Sequence, residues 1–216
     1  APGPRSSPAH SAVPVIRGMR DLGAIRPRVL RGMLNGTTTY ICSRLDDGVG
    51  FDDALAEAQA RGYAEPDPTN DIDGLDAAYK LSILVSLLGG RHFHPDQIRR
   101  TSLRAATAAD AGAAASRGLR LRYLAVADFG EKATKCRVGP EVVPTDSLDG
   151  QAIGPTNVIR LESDLAGTLT WSVPGACGDL PYSAILAELI AIVRSLPCVV
   201  RSFQSPSGRR WLLSVR

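Results

Sequence analysis

The stretch "GYAEPDPTNDIDGLDAAYKL", residues 62–81, carries five acids and one lysine and then runs into the apolar "SILVSLLGG". Pro66 and Pro68 force extended backbone at Glu65 and Asp67, so residues 63–73 read as a loop. Asp73 is placed to N-cap the helix that follows, and Gly89-Gly90 to end it. From Leu75 to Leu88 that helix is apolar on nearly every side, which predicts that protein surrounds it. Yet it carries Asp76 and Lys80, one turn apart on the same face with the acid on the N-terminal side. Desolvating such a pair is costly unless partners compensate, so stability alone is a poor reason to keep it. Burial lowers a lysine's proton affinity and a neighbouring carboxylate restores it, which makes the pair a tunable acid–base group. The competing explanation is an ordinary ion pair at a solvated helix start.

Glu65, Asp67, Asp71 and Asp73 converge on the N-terminus of this helix. Capping and loop solvation account for Asp67 and Asp73. Glu65, Asp76 and Lys80 together would form a pocket for a small molecule bearing an ammonium and an exchangeable proton. Of the 25 basic residues only Lys80, Lys132 and Lys135 are lysine. In a chain so biased toward arginine, position 80 keeps an amine, which can release a proton where a guanidinium cannot.

Working outward, Val29 to Met33 reads as a strand ending in an Asn35-Gly36 turn, with a helix from about Thr38. "FDDALAEAQARG", residues 51–62, is a helix with acids in its first turn and Gly62 as its stop. Residues 101–118 are alanine-rich and read as helical. Beyond Arg120, "LRLRYLAVADF", "ATKCRVGPEVVP", "NVIRLESD" and "GTLTWSVPG" alternate as strands of an antiparallel set. "YSAILAELIAIVRSL", residues 182–196, is an amphipathic helix, and residues 198–216 read as a terminal hairpin. Residues 1–12, rich in Pro, Ser and Ala, read as a flexible leader, with order beginning at residue 13.

The 216 residues, 44% hydrophobic, can build a sizeable core. A net charge of +3 with scattered basic residues offers no stripe for a phosphate backbone, so nucleic acid is not an expected partner. No apolar run reaches the ~18 residues of a membrane span. Cys42, Cys136, Cys177 and Cys198 form no C-x-x-C pair and read as reduced core thiols, which points to a cytoplasmic protein. His92 and His94 form an H-x-H pair after a helix with no third ligand at metal-site spacing, so no metal is expected. Ser183 lacks a nucleophile elbow, and Cys177 reads as a small residue in a tight turn.

Four segments, "GMLNGTTTYI" (32–41), "FDDALAEAQARGYAEPDPTNDIDGLDAAYKL" (51–81), "VVPTDSL" (142–148) and "GACGDLPYSAILAEL" (175–189), closely resemble the catalytic domain of homoserine dehydrogenase. The resemblance runs from about Val13 to Ile192. It implies an α+β fold, a mainly antiparallel sheet covered by helices, that also builds a homodimer. It implies the interconversion of homoserine and aspartate 4-semialdehyde with a nicotinamide cofactor. By position, Lys80 would relay the proton of the substrate hydroxyl, and Glu65 and Asp76 would hold the amino group and orient the lysine. Gly36, Thr37, Tyr63 and Asp71 would line the substrate site.

The chain departs from that pattern. It contains no G-x-G-x-x-G fingerprint and no lysine before Lys80. "SSPAHSAVPVI" lacks the acidic, glycine-containing segment that binds a monovalent cation in the family, and Pro181 and Cys177 stand where nicotinamide would approach. The expectation is that this chain by itself binds no NAD(P), which a separate cofactor domain or partner enzyme would supply. Two other readings stand beside it. One is a cofactor-independent enzyme performing elimination, isomerisation or condensation on an aspartate-like substrate. The other is a non-catalytic amino-acid-binding or dimerising module, against which three retained ionisable groups argue.

Overall fold

The computed structural model describes residues 18–19 and 22–174, together with the backbone of 201–204 and 210–213. The leader at 1–12, the helix at 182–196 and the readings of Cys177, Pro181, Ser183 and Cys198 lie outside the described residues. Two compact units divide the chain, one within residues 1–177 and one within 178–216.

In the first unit, β1 (Pro27–Met33) leads into four helices, α1 (Gly36–Asp46), α2 (Phe51–Ala60), α3 (Thr69–Ile72) and α4 (Leu75–Gly89). The two-residue β2 (Arg99–Arg100) and α5 (Ala108–Ala115) follow. A long hairpin of β3 (Leu119–Phe129) and β4 (Thr134–Pro144), the short α6 (Leu148–Gln151), β5 (Thr156–Ser163) and β6 (Thr168–Pro174) complete it. The strand order is β2-β4-β3-β1-β5-β6, antiparallel throughout except for the β2–β4 edge, where Arg99 and Arg100 pair in parallel with Arg137 and Val138. The second unit contains an antiparallel pair, β7 (Arg201–Gln204) and β8 (Arg210–Leu213), in which Arg201 opposes Leu213.

Alternation along β3 explains why both sheet faces are apolar at the centre. Leu121, Tyr123, Ala125 and Ala127 enter the larger core, where Ile41 and Leu45 of α1 and Leu81 and Leu84 of α4 dock. Leu124 and Val126 point the other way, into a smaller cluster with Met33, Val143 and Val158. β1 lies between two partners, so its C-terminal end is fixed from both sides. That end is where the candidate site begins.

Several local expectations are revised. Asn35-Gly36 is not a turn set between the strand and the helix. Asn35, extended at φ −135° and ψ 119°, is the N-cap of α1, which starts at Gly36 rather than at Thr38, and its side chain accepts from the Thr38 amide. The N-cap of α4 is Gly74, in the left-handed region at φ 73°, with no side-chain cap, rather than Asp73. Asp73 is drawn off because Thr69–Ile72 closes a helical turn inside the expected loop, and its carboxylate accepts from Ser102 Oγ at 2.7 Å. The alanine-rich segment is helical only over Ala108–Ala115, after a 3-10 turn at Leu103–Ala105. Protein does not surround α4 on every side: Ala77, Ala78, Leu81 and Leu84 are buried, but Tyr79 and Ile83 stay 45% and 36% exposed.

Gly74 sets the angle at which α4 leaves the loop. A Cβ there would run into the Tyr123 hydroxyl, which donates to the Thr101 carbonyl at 2.8 Å. Gly74→Ala therefore combines left-handed strain with a clash and should cost at least about 1 kcal/mol in urea denaturation.

On the other side of the sheet Arg122 is completely buried, yet its donors are occupied. Nη1 reaches Asp46 Oδ2 at 2.8 Å and the Leu121 carbonyl at 2.7 Å, Nη2 the Gly150 carbonyl at 2.8 Å, and Nε the Asp149 carbonyl at 3.1 Å. The guanidinium thus pins the end of α1 and the α6 segment to β3. Arg122→Ala leaves Asp46 only the longer ion pair to Arg120 at 3.9 Å, takes a donor from each of three carbonyls, and should lower the free energy of unfolding by about 3–5 kcal/mol, read by the shift of the denaturation midpoint.

Candidate active site at the end of β1

Leu34 and Asn35 carry the chain from β1 into α1, and the first turns of α4 face this corner. Lys80 Nζ donates to the Leu34 carbonyl at 2.9 Å and to Asp76 Oδ2 at 2.8 Å. The lysine and aspartate side chains are 12% and 25% exposed, so the pair is held largely out of water without being sealed from it. An ammonium has three donors, and these two contacts use two of them. Among the described residues the third has no partner, and neither has Asp76 Oδ1.

The network continues through Asn35. Its Nδ2 donates one hydrogen to Asp76 Oδ2 at 2.9 Å and the other to Asp71 Oδ1 at 2.7 Å. Its Oδ1 accepts from the Thr38 amide at 2.9 Å. The Thr37 hydroxyl lies 2.6 Å from the Tyr63 carbonyl and 3.0 Å from Asp71 Oδ2, one proton facing two acceptors. Two carboxylates are thereby gathered beside one amine.

Burial raises the pKa of Asp71 above the usual carboxylate value, and the neighbouring Asp76 charge adds to the rise. Asn35, Thr37 and Lys80 pull it down without cancelling it. A raised native pKa means that Asp71 stabilises the fold fully below the ordinary carboxylate pKa, and that this contribution fades as pH climbs through the native value.

Of the residues singled out from sequence, Lys80, Asp76, Asp71 and Thr37 form one network. Gly36 is the first residue of α1, and half-buried Tyr63 contributes its carbonyl while its ring sits 5.1 Å from that of Tyr40. Glu65 is not in the network: it is exposed, and its carboxylate has no hydrogen bond or ion pair among the described residues. Asn35 and the Leu34 carbonyl were not foreseen. An Asn before Gly-Thr-Thr at a strand end is an N-cap signature, and it was the signal available.

Other groups have plainer roles. His94 Nδ1 accepts from the Asp96 amide at 3.3 Å at the start of a 3-10 turn. Asp67 accepts from the Thr69 amide. Burial pushes the Cys42 thiol up to about 12 and the Cys136 thiol up to about 11, so both stay unionised. No helix among the described residues is long and apolar enough to cross a membrane.

The family model for homoserine dehydrogenase matches residues 14–190. This chain belongs to the homoserine dehydrogenase family. It is 37% identical over 186 residues to a homoserine dehydrogenase of Pseudomonas aeruginosa, covering 85% of this chain and 43% of that protein. It is 35% identical over 191 residues to the Mycobacterium tuberculosis enzyme of the same name, again 85% of this chain and 43% of the relative. The crystal structure of a homoserine dehydrogenase from Thiobacillus denitrificans is similar with a TM-score of 0.78 and 35% identity, over 82% of this chain and 41% of that one. A Staphylococcus aureus homoserine dehydrogenase matches with a TM-score of 0.74 and 25% identity, over 79% of this chain and 43% of that one. The chain thus spans less than half the length of these relatives. The structure agrees with the α+β fold the resemblance implied, a mostly antiparallel sheet with helices packed on it.

The carboxylate pair makes a separate prediction. Following Asp71 by carbon-detected NMR, its titration midpoint should lie above the ordinary 3.8 and should fall in Asp76→Asn, which removes the neighbouring charge.

Proposed function

We propose that this corner binds the amino-acid end of homoserine or aspartate 4-semialdehyde, and that Lys80 moves the hydroxyl proton as the two interconvert. The observation that carries the reading is the valence left open at Lys80. Two of its positions are held by the Leu34 carbonyl and Asp76, and only the third is uncommitted among the described residues. When the amine is neutral, that position is a lone pair that accepts the alcohol's proton. When it is protonated, the same position donates to the carbonyl oxygen of the aldehyde. One geometry serves both directions.

Asp76 Oδ1, with no partner among the described residues, is the acceptor proposed for the substrate ammonium, and Asp71 adds negative charge beside it. Exposed Glu65, two residues beyond Tyr63, is proposed as a further carboxylate for the same ammonium. Gly36, Thr37 and Tyr63 would shape the remaining wall, since Thr37 ties Tyr63 to Asp71.

The same acids argue against these residues holding a dinucleotide. At the N-terminus of α1, the Thr38 amide is taken by Asn35, and Asp71 and Asp76 stand beside it. A pyrophosphate seeks free amides and positive charge at such a position, and here it would meet carboxylates. NAD(P) is therefore proposed to be held outside the described residues, where nicotinamide would exchange the hydride.

In an assay of homoserine oxidation with NAD⁺ or NADP⁺, Lys80→Ala should lower kcat by about 10²–10⁴-fold with little change in KM. Lys80→Arg should be as inactive, because it keeps the charge but cannot give up the proton. Parent-like turnover in either variant removes Lys80 from the reaction.

A further inference from the structure

Asn35 lies one residue outside the set implied by the family resemblance, and its side chain is spent completely. Its amide oxygen caps α1 through the Thr38 amide, and its two N–H bonds go to different carboxylates, Asp71 at 2.7 Å and Asp76 at 2.9 Å. The residue is 5% exposed, so water does not substitute readily for either contact. At Asp76 the amide and the lysine meet on the same oxygen: Oδ2 accepts from Asn35 Nδ2 and from Lys80 Nζ at 2.8 Å. A carboxylate oxygen carrying two donors has little left for a third, and a carboxylate held through one oxygen presents the other.

We propose that Asn35 is a positioning residue that clamps Asp71 and Asp76 side by side, leaving Asp76 Oδ1 and the third valence of Lys80 for the substrate. It touches neither substrate nor reacting atoms and acts through Asp76. The inference rests on the role proposed above for Lys80 and Asp76. The amide contacts Asp71 from α3, Asp76 from α4 and Thr38 from α1, and the network continues from these carboxylates to Lys80 and the Leu34 carbonyl and to Thr37 and the Tyr63 carbonyl. An uncharged donor is what this company requires. Aspartate at position 35 would set a third carboxylate against two, and a shorter side chain could not reach both.

A polar cap can be kept while the clamp is removed. Serine and aspartate both cap helices about as well as asparagine, so Asn35→Ser and Asn35→Asp preserve α1 while losing the bridge between the carboxylates. In the intact protein, Asn35→Ser should keep a parent-like thermal midpoint, to within a few degrees, whereas Asn35→Asp, which sets a third carboxylate against Asp71 and Asp76, should lower it. In both, kcat/KM for homoserine should fall about ten- to a hundredfold. The Asp71 titration, followed by NMR without any turnover, should move to higher pH in both, more so in Asn35→Asp. Turnover within twofold of the parent overturns the positioning role, and an unmoved Asp71 titration overturns the clamp itself. Lys80→Ala assayed alongside separates the two claims: an active Lys80 variant sinks the proposed function, whereas a silent Asn35→Ser with an inactive Lys80→Ala sinks this inference alone.

Discussion

The bond from the Lys80 ammonium to the Leu34 carbonyl joins the two halves of the first unit at the point where the chemistry is proposed to occur. Leu34 directly follows the strand flanked on both sides by antiparallel partners, so its carbonyl cannot shift without disturbing the sheet. Helix α4 is seated on that sheet by Leu81 and Leu84, which follow the lysine within its next turn and are fully buried. An amine held between a rigid carbonyl and a carboxylate on its own helix has its orientation decided before any ligand arrives. Exposed helix pairs are worth little because their long side chains wander, and here the wandering is removed by the third partner.

Two buried or nearly buried cations in this fold differ in how fully the protein engages them. Arg122 has no exposed surface, and its guanidinium is spent on four close protein acceptors, so nothing remains for a ligand. Lys80 retains slight exposure and an uncommitted valence among the described residues. The same desolvation cost bears on both. In the first it is offset entirely by the protein, and the result is an anchor; in the second, on the proposed reading, a substrate would supply the rest.

On the proposed reading, the acids beside Lys80 would set which ligands the corner accepts. Asp71 and Asp76 are brought together by a single amide, and the burial that raises the pKa of Asp71 also makes an incoming ammonium more welcome. An ammonium relieves the repulsion between the two carboxylates, whereas a phosphate would add to it. The proposed division of tasks would place the amino-acid end of the substrate here and the dinucleotide outside the described residues, in a chain that spans 43% of a curated relative.

The sequence by itself determined much of this. Strand alternation beyond Arg120, the helix at Phe51–Ala60 and the apolar helix ended by Gly90 were all legible, because periodicity and glycine placement are local properties. So was the Asp76–Lys80 pair, since four residues in a helix bring side chains together whatever surrounds them. Tertiary structure alone decided what lies across sequence gaps. Asn35 reaches Asp71 and Asp76 over separations of 36 and 41 residues, and Lys80 reaches Leu34 over 46. Asn35 looked like a turn residue because its local signal fits a turn and a helix cap equally, and only tertiary structure brings the two carboxylates from α3 and α4 onto its amide. Glu65, near the pair in sequence, stands outside the Lys80–Asp76 hydrogen-bond network with its carboxylate exposed, since proximity along an irregular chain says nothing of direction.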